Sequence, residues 1–144
     1  MPAPFPHRYQ TSLRFLKDKD ALLSCDGAPE ILGAPPVDFD GPKGRWSPEH
    51  LLLSSVNLCL MTTFSAIARK QSLTVLDYQA DITGMLDRTK EGLAFTSIKI
   101  KATLEVYASE AERGIKALLL AKKHCLISNA LKTPVELEIV TRKG

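Results

Sequence analysis

From Leu51 to Ala68 the chain runs eighteen residues without a charge. An apolar segment of that length has to be enclosed, by lipid or by protein, and it dictates how the rest of the chain is spent. Ser54, Ser55, Asn57, Thr62, Thr63 and Ser65 interrupt it, a polar load that a lipid-facing helix carries poorly. No second segment resembles a span, so the expectation is a central helix buried in protein, with no membrane partner. Its ends are well marked. Ser47 is a good N-cap, Pro48 suits the first helical position, and Glu49 complements the helix dipole. Arg69 and Lys70 suit the other end. Apolar residues cover nearly the whole circumference, which predicts a helix enclosed on most sides.

Around this helix the chain reads as short strands and one further helix. Thr11–Leu16 and Ala21–Cys25 are strand-like runs on either side of the charged turn Lys17–Asp20, which predicts a β-hairpin. Residues 26–46 form a long Pro/Gly loop, with one short edge strand expected at Val37–Phe39; a loop of that length often covers a site. Residues 75–87 and 94–108 predict a second hairpin about the turn at 88–92. In its second strand Ile98, Ile100, Ala102, Leu104 and Val106 alternate with Lys99, Lys101, Thr103 and Glu105. Ser109 and Glu112 have capping-box spacing and predict the start of a second helix. A break and a short helical turn follow from Cys125, then a closing strand over 133–143. The order is β-β-loop-α-β-β-α-β, an α+β class, with residues 1–9 an extended or poorly ordered arm.

With 144 residues and 44% hydrophobic content, the chain is expected to form a single domain, residues 1–144. A net charge of +3, scattered rather than striped, argues against a nucleic-acid partner. Three cysteines do not make a disulfide framework, and the N-terminus has no apolar core of a signal peptide. A cytoplasmic location, where thiols stay free, is the expectation. His7, His50 and His124 are not at metal spacing and no C-x-x-C occurs, so no metal or other cofactor is expected.

The chemistry then rests on the thiols. Cys59 sits mid-helix, where a cysteine ordinarily fills core space. Cys125 lies beside His124 and two lysines, where nearby positive charge and a following short helix favour a thiolate; an incidental cysteine at a solvated helix end is the plain alternative. Cys25 is expected to be core packing. Glu49 either serves the helix dipole or holds a cation near a thiol. It lies ten residues before Cys59, a rise of roughly 15 Å with the side chains about 80° apart, so the two cannot meet on one helix. A joint site would need a bridging group or a second subunit.

Pro48-Glu49-His50-Leu51-Leu52, Cys59 ten residues after the glutamate, and Cys125-Leu126-Ile127-Ser128 ending the second helix together resemble the OsmC/Ohr family, the osmotically inducible and organic hydroperoxide resistance proteins. The resemblance implies an intertwined homodimer with active sites at the subunit interface. It also implies a thiol peroxidase acting on organic hydroperoxides: Cys59 attacks, Cys125 resolves the sulfenic acid as a disulfide, and a dithiol reductant restores both. Glu49 would anchor an arginine. The chain departs from the family pattern here, with Asp38 near one expected arginine position; Arg45 and Arg14 are substitutes, Arg45 the nearer to the helix start. Leu126 replaces the proline usual after the second cysteine. A non-catalytic relative, binding a small apolar or lipid-like ligand at the dimer interface, is the alternative.

Overall fold

The alternating segment that begins at Ile98 becomes the middle strand of a three-stranded sheet in the computed structural model, which describes residues 3–144. The chain divides into two compact units, one reaching Leu51 and the other Leu52–Gly144.

In the first unit, β1 (Ser12–Phe15), β2 (Ala21–Ser24) and β3 (Ile31–Gly33) form an antiparallel sheet in that order. β3 was not expected. It pairs Leu22 with Leu32 and extends through an isolated bridge between Gly33 and Trp46. The edge strand expected at Val37–Phe39 is instead a 3-10 turn. Pro36 precedes it and Asp40 closes it with a φ of 60°, a left-handed conformation that aspartate tolerates and a strand does not continue through. Residues 3–11 carry no helix or strand; the part of the expected N-terminal arm at residues 1–2 lies outside the described residues. At the end of this unit α1 (Pro48–Lys70) begins as its sequence specifies. Ser47 is 1% exposed, and its hydroxyl accepts the His50 N–H at 3.1 Å.

In the second unit, β4 (Val75–Thr89) and β5 (Gly92–Val106) form a long antiparallel hairpin. β6 (Val135–Lys143) pairs parallel to β5. A parallel neighbour requires a crossover, which α2 (Ala111–His124) and the short α3 (Leu126–Asn129) supply. Ile98, Ile100, Ala102, Leu104 and Val106 are all buried, as their alternation indicated. α2 buries Gly114, Ala117, Leu118 and Ala121, a stripe of mostly small residues that lets the helix lie close to the sheet. A Cβ on Gly114 would stand 3.0 Å from a Leu104 methyl. The Ser109–Glu112 capping box does not form. A 3-10 turn, Ala108–Glu110, takes up Ser109, and α2 starts at Ala111 with no side-chain cap.

α1 buries one stripe, Val56, Leu60, Phe64 and Ala68, at strict i+4 spacing. The expected enclosure on most sides is not achieved by the chain itself: Leu58 is 59% exposed. α1 is also, among the described residues, long and apolar enough by length and composition to cross a membrane.

Candidate active site

Two elements of the second unit bring their cysteines together. Cys59 stands half-buried on α1, beside the buried Leu60, with the Thr63 hydroxyl one turn further on at 4.0 Å from its Sγ. Cys125 terminates α2 in an extended conformation (φ −68°, ψ 104°) and is 1% exposed. Because α2 breaks there, the amides of Leu126 and Ile127 open a new short helix and lack carbonyl partners one turn back. Both act on the Cys59 sulfur to lower its pKa, as does the Cys125 thiol.

The electrostatic result follows from that arrangement. Burial by itself pushes the Cys59 thiol up. Hydrogen bonds from the Ile127 amide, the Cys125 thiol, the Thr63 hydroxyl and the Leu126 amide outweigh it and hold the pKa below the ordinary cysteine value. The site therefore favours a thiolate through neutral donors. Lys122, Lys123 and His124, whose charge the sequence set beside Cys125, lie in the last turn of α2.

Leu126 is the informative position, since proline there would carry no N–H. Leu126→Pro is expected to raise the Cys59 pKa and to slow alkylation by iodoacetamide at neutral pH by roughly threefold to tenfold, about what losing one ordinary hydrogen bond implies. Leu126→Ala, which keeps the amide, should leave the pH profile of alkylation where it is. Equal profiles for the two variants would remove the Leu126 N–H from the account.

The remaining sequence candidates belong to the first unit. Arg45 donates to both carboxylate oxygens of Asp20, Nε to one and Nη2 to the other at 3.2 Å, so its ion pair is with Asp20 rather than Glu49. Arg14 is exposed on β1. Glu49 is in the first turn of α1, and its Oε1 is buried with no hydrogen-bond partner among the described residues. Cys25, expected in the core, is exposed just beyond β2, because the strand stops at Ser24 and the chain turns outward. Among the described residues no group of three or more His, Cys, Asp or Glu is placed to hold a metal.

Three participants were not singled out in the sequence: Thr63 and the two amides. Thr63 carries a signal, its i+4 spacing from Cys59. The amides carry none, because they become donors only through the break at Cys125.

The OsmC-like protein family model matches residues 41–140. None of the curated proteins matches the sequence. Among solved structures, an OsmC-like protein of unknown function from Vibrio cholerae superposes with a TM-score of 0.86 at 19% identity, covering 94% of this chain and all of the other. An OsmC-like protein from Mycoplasma pneumoniae gives 0.80 at 16% identity, over 95% of this chain and 99% of that one. An organic hydroperoxide resistance protein from Elizabethkingia anophelis, with thiocyanate bound, gives 0.74 at 14% identity, over 99% and 100%. At these identities the likeness is one of fold.

Proposed function

The chain belongs to the OsmC-like protein family, and from that premise we propose that it is a thiol-dependent peroxidase that reduces organic hydroperoxides in the cytoplasm as a homodimer. The observation that carries this reading is the Cys59 sulfur, held below its ordinary pKa by hydrogen bonds that include the Cys125 thiol. A thiol with a lowered pKa and a second thiol acting on it is what a two-cysteine peroxidase requires. The fold shared with an organic hydroperoxide resistance protein supports the same substrate class.

In the proposed cycle the Cys59 thiolate attacks the distal oxygen of ROOH. An S–O bond forms, the O–O bond breaks, and the leaving alkoxide takes a proton to become the alcohol ROH. Cys59 is then a sulfenic acid. The Cys125 sulfur attacks it, forming the Cys59–Cys125 disulfide, and the hydroxide released leaves as water after protonation. A dithiol reductant exchanges with that disulfide, is itself oxidised to a disulfide, and returns both thiols. The Leu126 and Ile127 amides stabilise the attacking thiolate. Glu49 is in this reading a supporting carboxylate, with its cation supplied from outside the Arg45–Asp20 pair.

The exposed Leu58 supports the homodimer, since a helix this apolar gains from a second copy against the face its own chain leaves open. A second reading, a non-catalytic protein of the same fold that binds an apolar ligand, is favoured by the apolar cavity beside Glu49.

The test is intact-mass analysis of the reduced protein after about one equivalent of an organic hydroperoxide, in the spirit of a single turnover. Loss of two hydrogens, mapped to a Cys59–Cys125 bridge and faster than with hydrogen peroxide, is the expected result. Thiols that stay reduced, or oxidise to unspecific products, would overturn the peroxidase reading.

A further inference from the structure

Cys59, Thr63, Ala66 and Lys70 follow one another at helical spacing and so share one face of α1. That face lies roughly 110° around the helix from the exposed Leu58, apart from the side assigned above to a second copy. Thr63, Ala66, Ile67 and Lys70 line a groove of about 350 Å³ with Leu120 and His124 of α2. Arg113, near the start of α2, donates to the Gln71 carbonyl just beyond α1, so the two helices run antiparallel there. Thr63 and His124 therefore mark one end of the groove and Lys70 the other. The Thr63 hydroxyl is also 4.0 Å from the Cys59 sulfur, which puts that end beside the reacting atom. Ala66, Ile67 and Leu120 wall the stretch between, and among the described residues no acidic side chain lines it. Lys70 is exposed, and among the described residues its ammonium is in no ion pair. The carbonyls that end α1 do not need it either. The amides of Gln71, Leu73 and Ser72 already donate to Ile67, Ala68 and Arg69.

From Thr63 to Lys70 the helix rises roughly 10 Å. We propose, resting on the peroxidase reading above, that the groove selects the substrate by that length: an unbranched hydroperoxide carrying a carboxylate roughly 10 Å from its O–O bond. The peroxide would meet Cys59 at the Thr63 end, the chain would lie against Ile67 and Leu120, and the carboxylate would pair with Lys70. The apolar walls supply the affinity and the ammonium the selectivity, the usual division in a small-molecule site. Lys70 is then a specificity-determining residue, and the subsite is built within one chain.

The full-length protein would be given ω-hydroperoxynonanoate, its methyl ester and ω-hydroperoxybutanoate, with dithiothreitol as reductant, and kcat/KM compared. The nonanoate is expected to exceed both others by roughly threefold to fivefold, the size of one exposed ion pair, and to lose that advantage in high salt. Lys70→Gln should bring acid and ester to parity. Ala66→Trp, which fills the groove from an exposed position, should slow the nonanoate more than the butanoate. An acid no better than its ester overturns the inference and leaves the peroxidase reading standing. So does a preference that survives in Lys70→Gln. A second measurement needs no turnover: nonanoate should slow alkylation of Cys59 by iodoacetamide in the unmodified protein more than in Lys70→Gln. Protection without any hydroperoxide consumption would overturn the peroxidase reading and keep the groove as an anion-selective site. Absence of protection overturns the groove itself.

Discussion

Cys59→Ser is expected to lower organic hydroperoxide turnover by at least about a thousandfold, to the level of the uncatalysed reaction. The serine hydroxyl occupies nearly the same space and still accepts the amide hydrogen bonds, but it does not ionise near neutral pH and is a poor nucleophile toward oxygen. Cys125→Ser should behave differently. Its first oxidation should proceed, because Cys59 retains the Leu126 and Ile127 amides. Oxidation should then stop at a sulfenic acid that a 1,3-dione reagent can trap, with turnover falling for want of a resolving thiol. Stopped-flow consumption of hydroperoxide together with mass analysis of each variant separates the two roles. If Cys59→Ser still consumes peroxide while Cys125 accumulates the sulfenic acid, the roles are reversed.

The largest expected effect on stability comes from Phe64→Ala, at about 3–5 kcal/mol. Phe64 is 1% exposed in the middle of the buried stripe of α1, and its ring stacks on Tyr78 with centroids 5.7 Å apart. Truncation leaves a cavity that neighbours on a sheet and a rigid helix fill only in part. A domain of this size is stable by roughly 5–15 kcal/mol, so the loss takes a substantial share of the total. Urea unfolding would show a lower midpoint at nearly unchanged slope. A shift under about 1 kcal/mol would mean that the stripe is not the anchor of α1. Tyr78 itself reports on the same environment: burial pushes its phenol up to about 12, and its hydroxyl is buried without a partner among the described residues.

Where a segment's structure is decided within itself, the sequence is readable. Ser47-Pro48-Glu49 gives the start of α1, and alternation from Ile98 gives the buried face of β5. Elements decided by their neighbours are harder. β3 is only three residues long, in a segment flanked by Pro29 and Pro35, and it exists because β2 offers an edge to pair with. Ser109 has the residue type and spacing for a cap, but the chain enters α2 through a 3-10 turn that uses Ser109 as an interior residue. The all-round apolarity of α1 was visible in the sequence, whereas its own chain covers only one stripe. Cys59 and Cys125 could be singled out through the family resemblance. The amides that hold the sulfur could not, because backbone groups have no residue signature.

The separation of the two cysteines along the chain gives the meeting of Cys59 and Cys125 a mechanical meaning. Between them lie β4, β5 and α2, so a bond joining the two sulfurs would ring most of the second unit in a loop of about 65 residues. A cross-link of that span removes about 4 kcal/mol of freedom from the unfolded chain. Each turn of the proposed cycle would alternately staple and release the same body. The oxidised protein would then be the harder to melt and to digest, and its redox state could be read from a thermometer as well as from a mass spectrum.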